Sequence, residues 1–289
     1  MTMHASKATD QHSKKLQIKY EPMSKNASTS MNTHYKGNVL ITGAAKRIGR
    51  HIALAMAQEG WDVAVHFGQS ASDAASVVGE IQALGRRACA LQCDLANESA
   101  VRDLVPRAQK ALGKITCLVN NASVFAEDTV HSITGDKLDL HMHTNLLAPL
   151  LLSQAIFDAT PDGQQACVIN LLDQKLYNLN PDFLSYTLSK AALQTATTVL
   201  AQAFAPRLRV VGIAPGITMV SGDQTAADFQ VAHQVTPLGR SSTPEDIAAS
   251  VCFVASARAI TGTTILVDGG QHLLALPRDV MFLATTPTS

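Results

Sequence analysis

Asn38-Val39-Leu40-Ile41-Thr42-Gly43-Ala44-Ala45-Lys46-Arg47-Ile48-Gly49 passes from a short apolar run, through a turn of small residues, into a helical period. Residues 38–42 predict a buried strand. Residues 47–59 predict an amphipathic helix with Ile48, Ile52, Ala55 and Met56 on one face, ended by Gly60. A strand feeding a helix through such a turn aims backbone N–H groups and the positive end of the helix dipole at one spot, which suits a pyrophosphate. The fingerprint G-x-G-x-x-G is absent, and Gly43 and Gly49 are the glycines kept. The turn alone is a weak signal, and its context carries the weight.

That context is regular. Strands are predicted at 61–67, 88–93, 115–120, 166–172, 208–213 and 264–267, alternating with helices at 72–84, 98–112, 138–158, 185–204 and 244–255. Near-continuous apolar strands separated by helical periods describe a doubly wound α/β fold: seven parallel strands covered by helices on both faces, in a single domain over 37–273. A ligand then belongs at the carboxyl ends of the strands. After Pro215-Gly216, residues 217–240 show weak periodicity over a length unusual for a connection, and are a candidate substrate lid.

A chain of 289 residues with 46% hydrophobic content can bury one substantial core, and its formal net charge of zero favours neither nucleic acid nor an anionic membrane. A small-molecule partner is expected. Five cysteines, an odd number without C-x-x-C spacing, suit free thiols in a reducing, cytoplasmic compartment. No metal site is predicted. Residues 1–36 hold six Lys, two acidic residues and no apolar run, and read as a disordered extension, with residues 274–289 a C-terminal tail.

The second strand ends His66-Phe67-Gly68-Gln69-Ser70, with no carboxylate to bind a ribose 2′-hydroxyl or repel a 2′-phosphate. Lys46 and Arg47 bring cations to the turn and Ser70 a hydroxyl, so NADPH is the expected cofactor. Tyr186 and Lys190 stand one helical turn apart, where an ammonium lowers the cost of ionising a phenol whose ordinary pKa is ~10. Asp173, thirteen residues before Tyr186, follows the fifth strand at the ligand edge. Asn145 interrupts an apolar helix and must find partners if buried, either a water bridging to Lys190 or backbone groups.

These residues resemble the short-chain dehydrogenases/reductases over 37–273, and most nearly their pteridine-reducing branch. The resemblance rests on the turn 42–49, Asp94, Asn120-Asn121-Ala122, Asn145, Tyr186-x-x-x-Lys190, Pro215-Gly216 and Asp268-Gly269-Gly270. It implies a catalytic set of Asn145, Asp173, Tyr186 and Lys190, with Asp173 where most relatives have serine. Cofactor contacts are implied at Gly43, Lys46, Arg47, Ile48 and Ser70, at Asp94 and Leu95, at Asn121 and Ala122, at Tyr186 and Lys190, and at Pro215 and Gly216. Arg47, Ser123 and Phe125, with Asp173 and Tyr186, are implied to hold a pteridine substrate, Phe125 by stacking on its ring. A homotetramer built on the helices at 138–158 and 185–204 and the last strand is also implied. The alternative is a carbonyl or enoyl reductase of the same fold.

Overall fold

Strand β1 (Gly37–Ile41) is buried at every residue, and its side chains alternate between two cores: Val39 and Ile41 face one layer and Leu40 the other. The computed structural model describes residues 34–220, 225–234 and 236–282. The extension expected over 1–36 therefore lies outside the described residues up to residue 33.

The remaining strands are β2 (Trp61–Phe67), β3 (Ala88–Gln92), β4 (Ile115–Asn120), β5 (Ala166–Leu171), β6 (Leu208–Pro215) and β7 (Thr264–Val267). They form one sheet in the order β3-β2-β1-β4-β5-β6-β7, and every pair is parallel. The predicted doubly wound sheet of seven strands is what forms. Chain direction across the sheet reverses at β1, so the connections after β1 and β4 leave toward opposite faces and open a crevice between them.

One face is covered by α1 (Arg47–Gln58), α2 (Ala71–Ala83) and α8 (Pro244–Ser256), through Ile52, Met56, Val77, Ile81 and Val251. The other is covered by α3 (Glu98–Leu112), α5 (Ala148–Asp158) and α6 (Leu184–Phe204), through Leu104, Leu152, Ile156 and Ala201. Burying a side chain the size of Leu or Ile contributes about 1.5–3 kcal/mol, and these two layers hold the strand ends fixed.

Two expectations need correction. The helix expected at 138–158 begins earlier, as α4 (Gly135–Met142) capped by Thr134, and is broken by a π-helical turn at His143–Leu147 before α5. Pro149 supplies the reason: it has no N–H for the carbonyl of Asn145, and its ring would collide with that carbonyl in a regular helix. Within the expected lid, the structure forms α7 (Ala226–Gln234), docked by the Ser241 N–H to His233 O at 2.9 Å; positions 221–224 and 235 lie outside the described residues. All five cysteines are free thiols, and no helix among the described residues is long and apolar enough to cross a membrane.

Candidate active site

The crevice is a cavity of about 440 Å³ at the carboxyl ends of β1, β4, β5 and β6. Its floor is the turn after β1. There the Thr42 hydroxyl accepts the N–H groups of Asn121 and Ala122 at 2.9 and 3.0 Å, and the Asn121 amide donates back to Thr42 O at 2.8 Å. The β1 and β4 connections are thus stapled together. A Cβ on Gly49 would stand 2.1 Å from Gly43 O, so the turn closes only around a glycine there.

Sequence reasoning missed His66 in this region. Its Nδ1 accepts the Gly43 N–H at 3.0 Å and its Nε2 lies 3.0 Å from Cys93 O, which makes it the neutral tautomer with hydrogen on Nε2. Burial lowers its pKa to about 4. Arg47 adopts φ 52°, a left-handed conformation usual for glycine, and its guanidinium donates to Val220 O at 2.8 Å across the cavity mouth. Lys46 pairs with Asp73 at 3.0 Å on the surface.

The far wall carries the polar groups. Tyr186 Oη donates to Asp173 Oδ2 at 2.7 Å, and the other Asp173 oxygen accepts the Lys175 N–H at 2.8 Å. Lys190 Nζ donates to Leu171 O at 2.7 Å and lies 5.8 Å from the Tyr186 ring centroid. Asp128, buried and also missed from the sequence, accepts the Ser185 N–H at 2.9 Å and its hydroxyl, and so fixes the start of the helix that presents Tyr186 and Lys190.

Burial dominates the electrostatics. It raises the pKa of Asp173, against the Lys175 and Tyr186 hydrogen bonds that lower it. It raises Tyr186 well above the ordinary tyrosine value, reinforced by the Asp173 charge, and it lowers Lys190 to about 8. The expected acidification of Tyr186 by Lys190 is not found, because the ammonium is committed to the Leu171 carbonyl and the nearest charge is a carboxylate.

The structure brings together most of the sequence-derived residues. Gly43, Lys46, Arg47, Ile48, Asn121, Ala122, Ser123, Phe125, Asp173, Tyr186, Lys190, Pro215 and Gly216 all line the cavity. Phe125 is 41% exposed and meets the Tyr186 ring edge-on at 4.7 Å, while its own ring stacks on Phe183 at 4.3 Å, so it is a wall residue and not a core aromatic. Ser70, Asp94 and Leu95 do not line the cavity; they follow β2 and β3 at the same sheet edge, and Asp94 accepts the N–H of Ala96 at 3.0 Å.

Asn145 also stands behind the wall and not on it. Its amide oxygen accepts the Val124 N–H at 2.8 Å and the Ser123 hydroxyl at 3.2 Å, and its amide nitrogen donates to Val124 O and to Ser189 Oγ, each at 3.0 Å. Backbone groups were among the partners expected of it, and Val124 supplies them. The π turn points this amide at the 123–125 loop and at α6 together.

The sequence model of the family described as Enoyl-(Acyl carrier protein) reductase matches residues 43–272. The chain belongs to the short-chain dehydrogenase/reductase family. Members are NAD(P)-dependent oxidoreductases. An uncharacterised oxidoreductase of Methylorubrum extorquens is 35% identical over 239 residues, covering 80% of this chain and 96% of that protein. The 3-oxoacyl-[acyl-carrier-protein] reductase FabG of Staphylococcus epidermidis is 32% identical over 242 residues, covering 82% and 99%. Among solved structures, the FolM alternative dihydrofolate reductase 1 of Brucella canis, complexed with NADP, is 40% identical with a TM-score of 0.78, covering 83% of this chain and 95% of that one.

Proposed function

We propose that this short-chain reductase uses NADPH to convert a dihydropteridine to its tetrahydro form. The observation that carries the reading is the 2.7 Å hydrogen bond from Tyr186 to Asp173, a carboxylate at the substrate wall. A carboxylate there suits a basic nitrogen heterocycle that takes up a proton, and opposes the alkoxide that develops when a ketone is reduced. Likeness to the Brucella alternative dihydrofolate reductase supports the same substrate class.

The residues fit the coenzyme. The turn packs too tightly at Gly49 for a Cβ, which keeps the start of α1 close against β1 where a pyrophosphate would sit, and β2 ends in Phe67 followed by Gly68, Gln69 and Ser70, without an acidic side chain. Lys46, Arg47 and Ser70 would hold the 2′-phosphate side, and Lys190 the nicotinamide ribose. Held there, NADPH would supply the hydride for the carbon of a ring C=N bond. The adjoining nitrogen would take its proton from Asp173, whose raised pKa favours the protonated form, and the carboxylate left behind is held by the Tyr186 hydroxyl and the Lys175 N–H until it regains a proton from solvent water. Phe125, backed by Phe183, would hold the flat ring at hydride-transfer distance and remove orientational entropy from the reaction.

A second reading, a carbonyl or enoyl reductase, is favoured by the description of the matching family model and by the FabG relative. Steady-state oxidation of NADPH with dihydrobiopterin, dihydromonapterin, dihydrofolate and a ketone panel separates the two. The pteridines are expected to turn over. Asp173→Ser should move the ratio of kcat/KM values toward ketones by about 100-fold, the scale of one acid–base group. Equal losses on both substrate classes would remove the role assigned to Asp173.

A further inference from the structure

The chain from residue 278 to 282 folds back onto its own active site. Arg278 Nε donates to both oxygens of Asp182 at 3.0 and 2.8 Å, and the Asp279 N–H donates to the same carboxylate at 2.7 Å. Lys175 Nζ, almost wholly buried, donates to Asp182 O at 2.7 Å and pairs with Asp279 Oδ2 at 3.0 Å. Phe282 stacks on Phe183 at 5.8 Å and so extends the stack that begins at Phe125. Asp279 and Val280 thereby become part of the cavity wall.

Lys175 joins two carboxylates of that wall: its main-chain N–H holds Asp173 and its ammonium holds Asp279. An ion pair this buried is costly unless its geometry is fixed, and here Asp182 holds both members, its carbonyl accepting from Lys175 Nζ and its carboxylate from the Asp279 N–H and from Arg278 Nε. The wall therefore presents one carboxylate beside Tyr186 and a second, supplied by the C-terminal segment, held in a set orientation. A carboxylate carries about four acceptor positions, so an ion pair on one oxygen is compatible with contact to a ligand. The 2-aminopyrimidinone edge of a pteridine offers adjacent N–H donors that match a carboxylate, whereas a simple ketone offers none.

Resting on the pteridine reading, we propose that residues 278–282 are a substrate-specificity element supplied in cis, with Asp279 receiving the N–H donors of the pyrimidine edge and the Arg278–Asp182 pair acting as its latch. This segment falls in the C-terminal tail expected from sequence; its contacts include Asp182, Lys175 and Phe183 of the reductase domain.

The test is steady-state kinetics of the full chain with dihydrobiopterin and with a dihydropteridine lacking the 2-amino group, alongside NADPH binding by fluorescence. Asp279→Asn should raise KM for dihydrobiopterin about tenfold, the scale of one charge-assisted hydrogen bond, with kcat within about twofold. Arg278→Ala should shift KM the same way by less, and Asp279→Glu should recover part of the loss. Against the 2-desamino analogue, Asp279→Asn should add little to a KM already raised in the parent. Unchanged NADPH affinity in each variant shows that the cavity remains folded. Equal KM values for parent and Asp279→Asn, or the same rise with both pteridines, would overturn the proposal while leaving pteridine reduction standing. A parent enzyme that turns over ketones and no pteridine would instead overturn the reading beneath it, and this proposal with it.

Discussion

Tyr186, Asp173 and Lys190 share one wall of the cavity, and desolvation sets the direction of all three shifts before their mutual charges act. For Lys190 this has a measurable cost. Its folded pKa of about 8 lies below the 10.5 of an exposed lysine, so the unfolded chain binds more protons between those values and stability rises as pH climbs through them. The penalty is complete below about pH 8, where it is on the order of 3 kcal/mol. Lys190→Met is therefore expected to unfold at higher denaturant than the parent at pH 7, with the difference shrinking toward pH 10, and to abolish turnover. A parent more stable than the variant at pH 7 would show that the Leu171 hydrogen bond outweighs burial. The spacing of Tyr186, Lys190 and Asp173 was legible because one helical turn and one strand end fix it. The rise of the tyrosine pKa was not, since burial is a tertiary quantity. Nor was the pairing of Lys175 with Asp279, which joins residues 104 apart in sequence.

At the scale of elements, the strand-to-helix turn after β1 was readable from residues 38–49 alone, yet what holds its shape comes from β2 and β4. His66 at the end of β2 accepts the Gly43 N–H only while neutral. Its folded pKa of about 4 is below the ordinary 6.5, so its contribution is complete above pH 6.5 and is lost as pH falls toward 4. His66→Leu strands that N–H, at about 1–3 kcal/mol. The expected outcomes are an NADPH dissociation constant raised about tenfold at pH 7 and a flatter fall in stability between pH 6.5 and 4 than in the parent. Unaltered coenzyme affinity would mean that Asn121 and Thr42 hold the turn unaided. The π turn at Asn145 was hidden for a different reason. Apart from Asn145 itself the hydrophobic period continues through it, and only Pro149, four residues on, marks the carbonyl that cannot be satisfied. Helix α7 escaped because its side chains carry little amphipathic pattern.

For the whole molecule, the same two-layer packing that fixes the cavity leaves apolar side chains outside. Leu188 and Val199 on α6 are 47% and 54% exposed, and Phe253 on α8 is 60% exposed. Strand β7 ends the sheet, so one side of its backbone has no strand partner among the described residues. An open strand edge beside exposed aliphatic and aromatic groups invites pairing with another copy, and closed symmetric assembly is the common way to cover it. The homotetramer implied by family resemblance, built on the helices at 138–158 and 185–204 and the last strand, would have α5 and α6 meeting their counterparts across one axis and β7, with the exposed Phe253 of α8 beside it, across another. Sedimentation equilibrium is expected to show a particle of four 30.6 kDa chains. Leu188→Glu with Val199→Glu should leave dimers joined through α8 and β7, and Phe253→Glu should leave dimers joined through α6. Both variants should retain NADPH binding, because neither face contributes to the cavity. A 30.6 kDa particle at micromolar concentration would refute the assembly and leave the cavity, closed by its own C-terminal segment, complete in one chain.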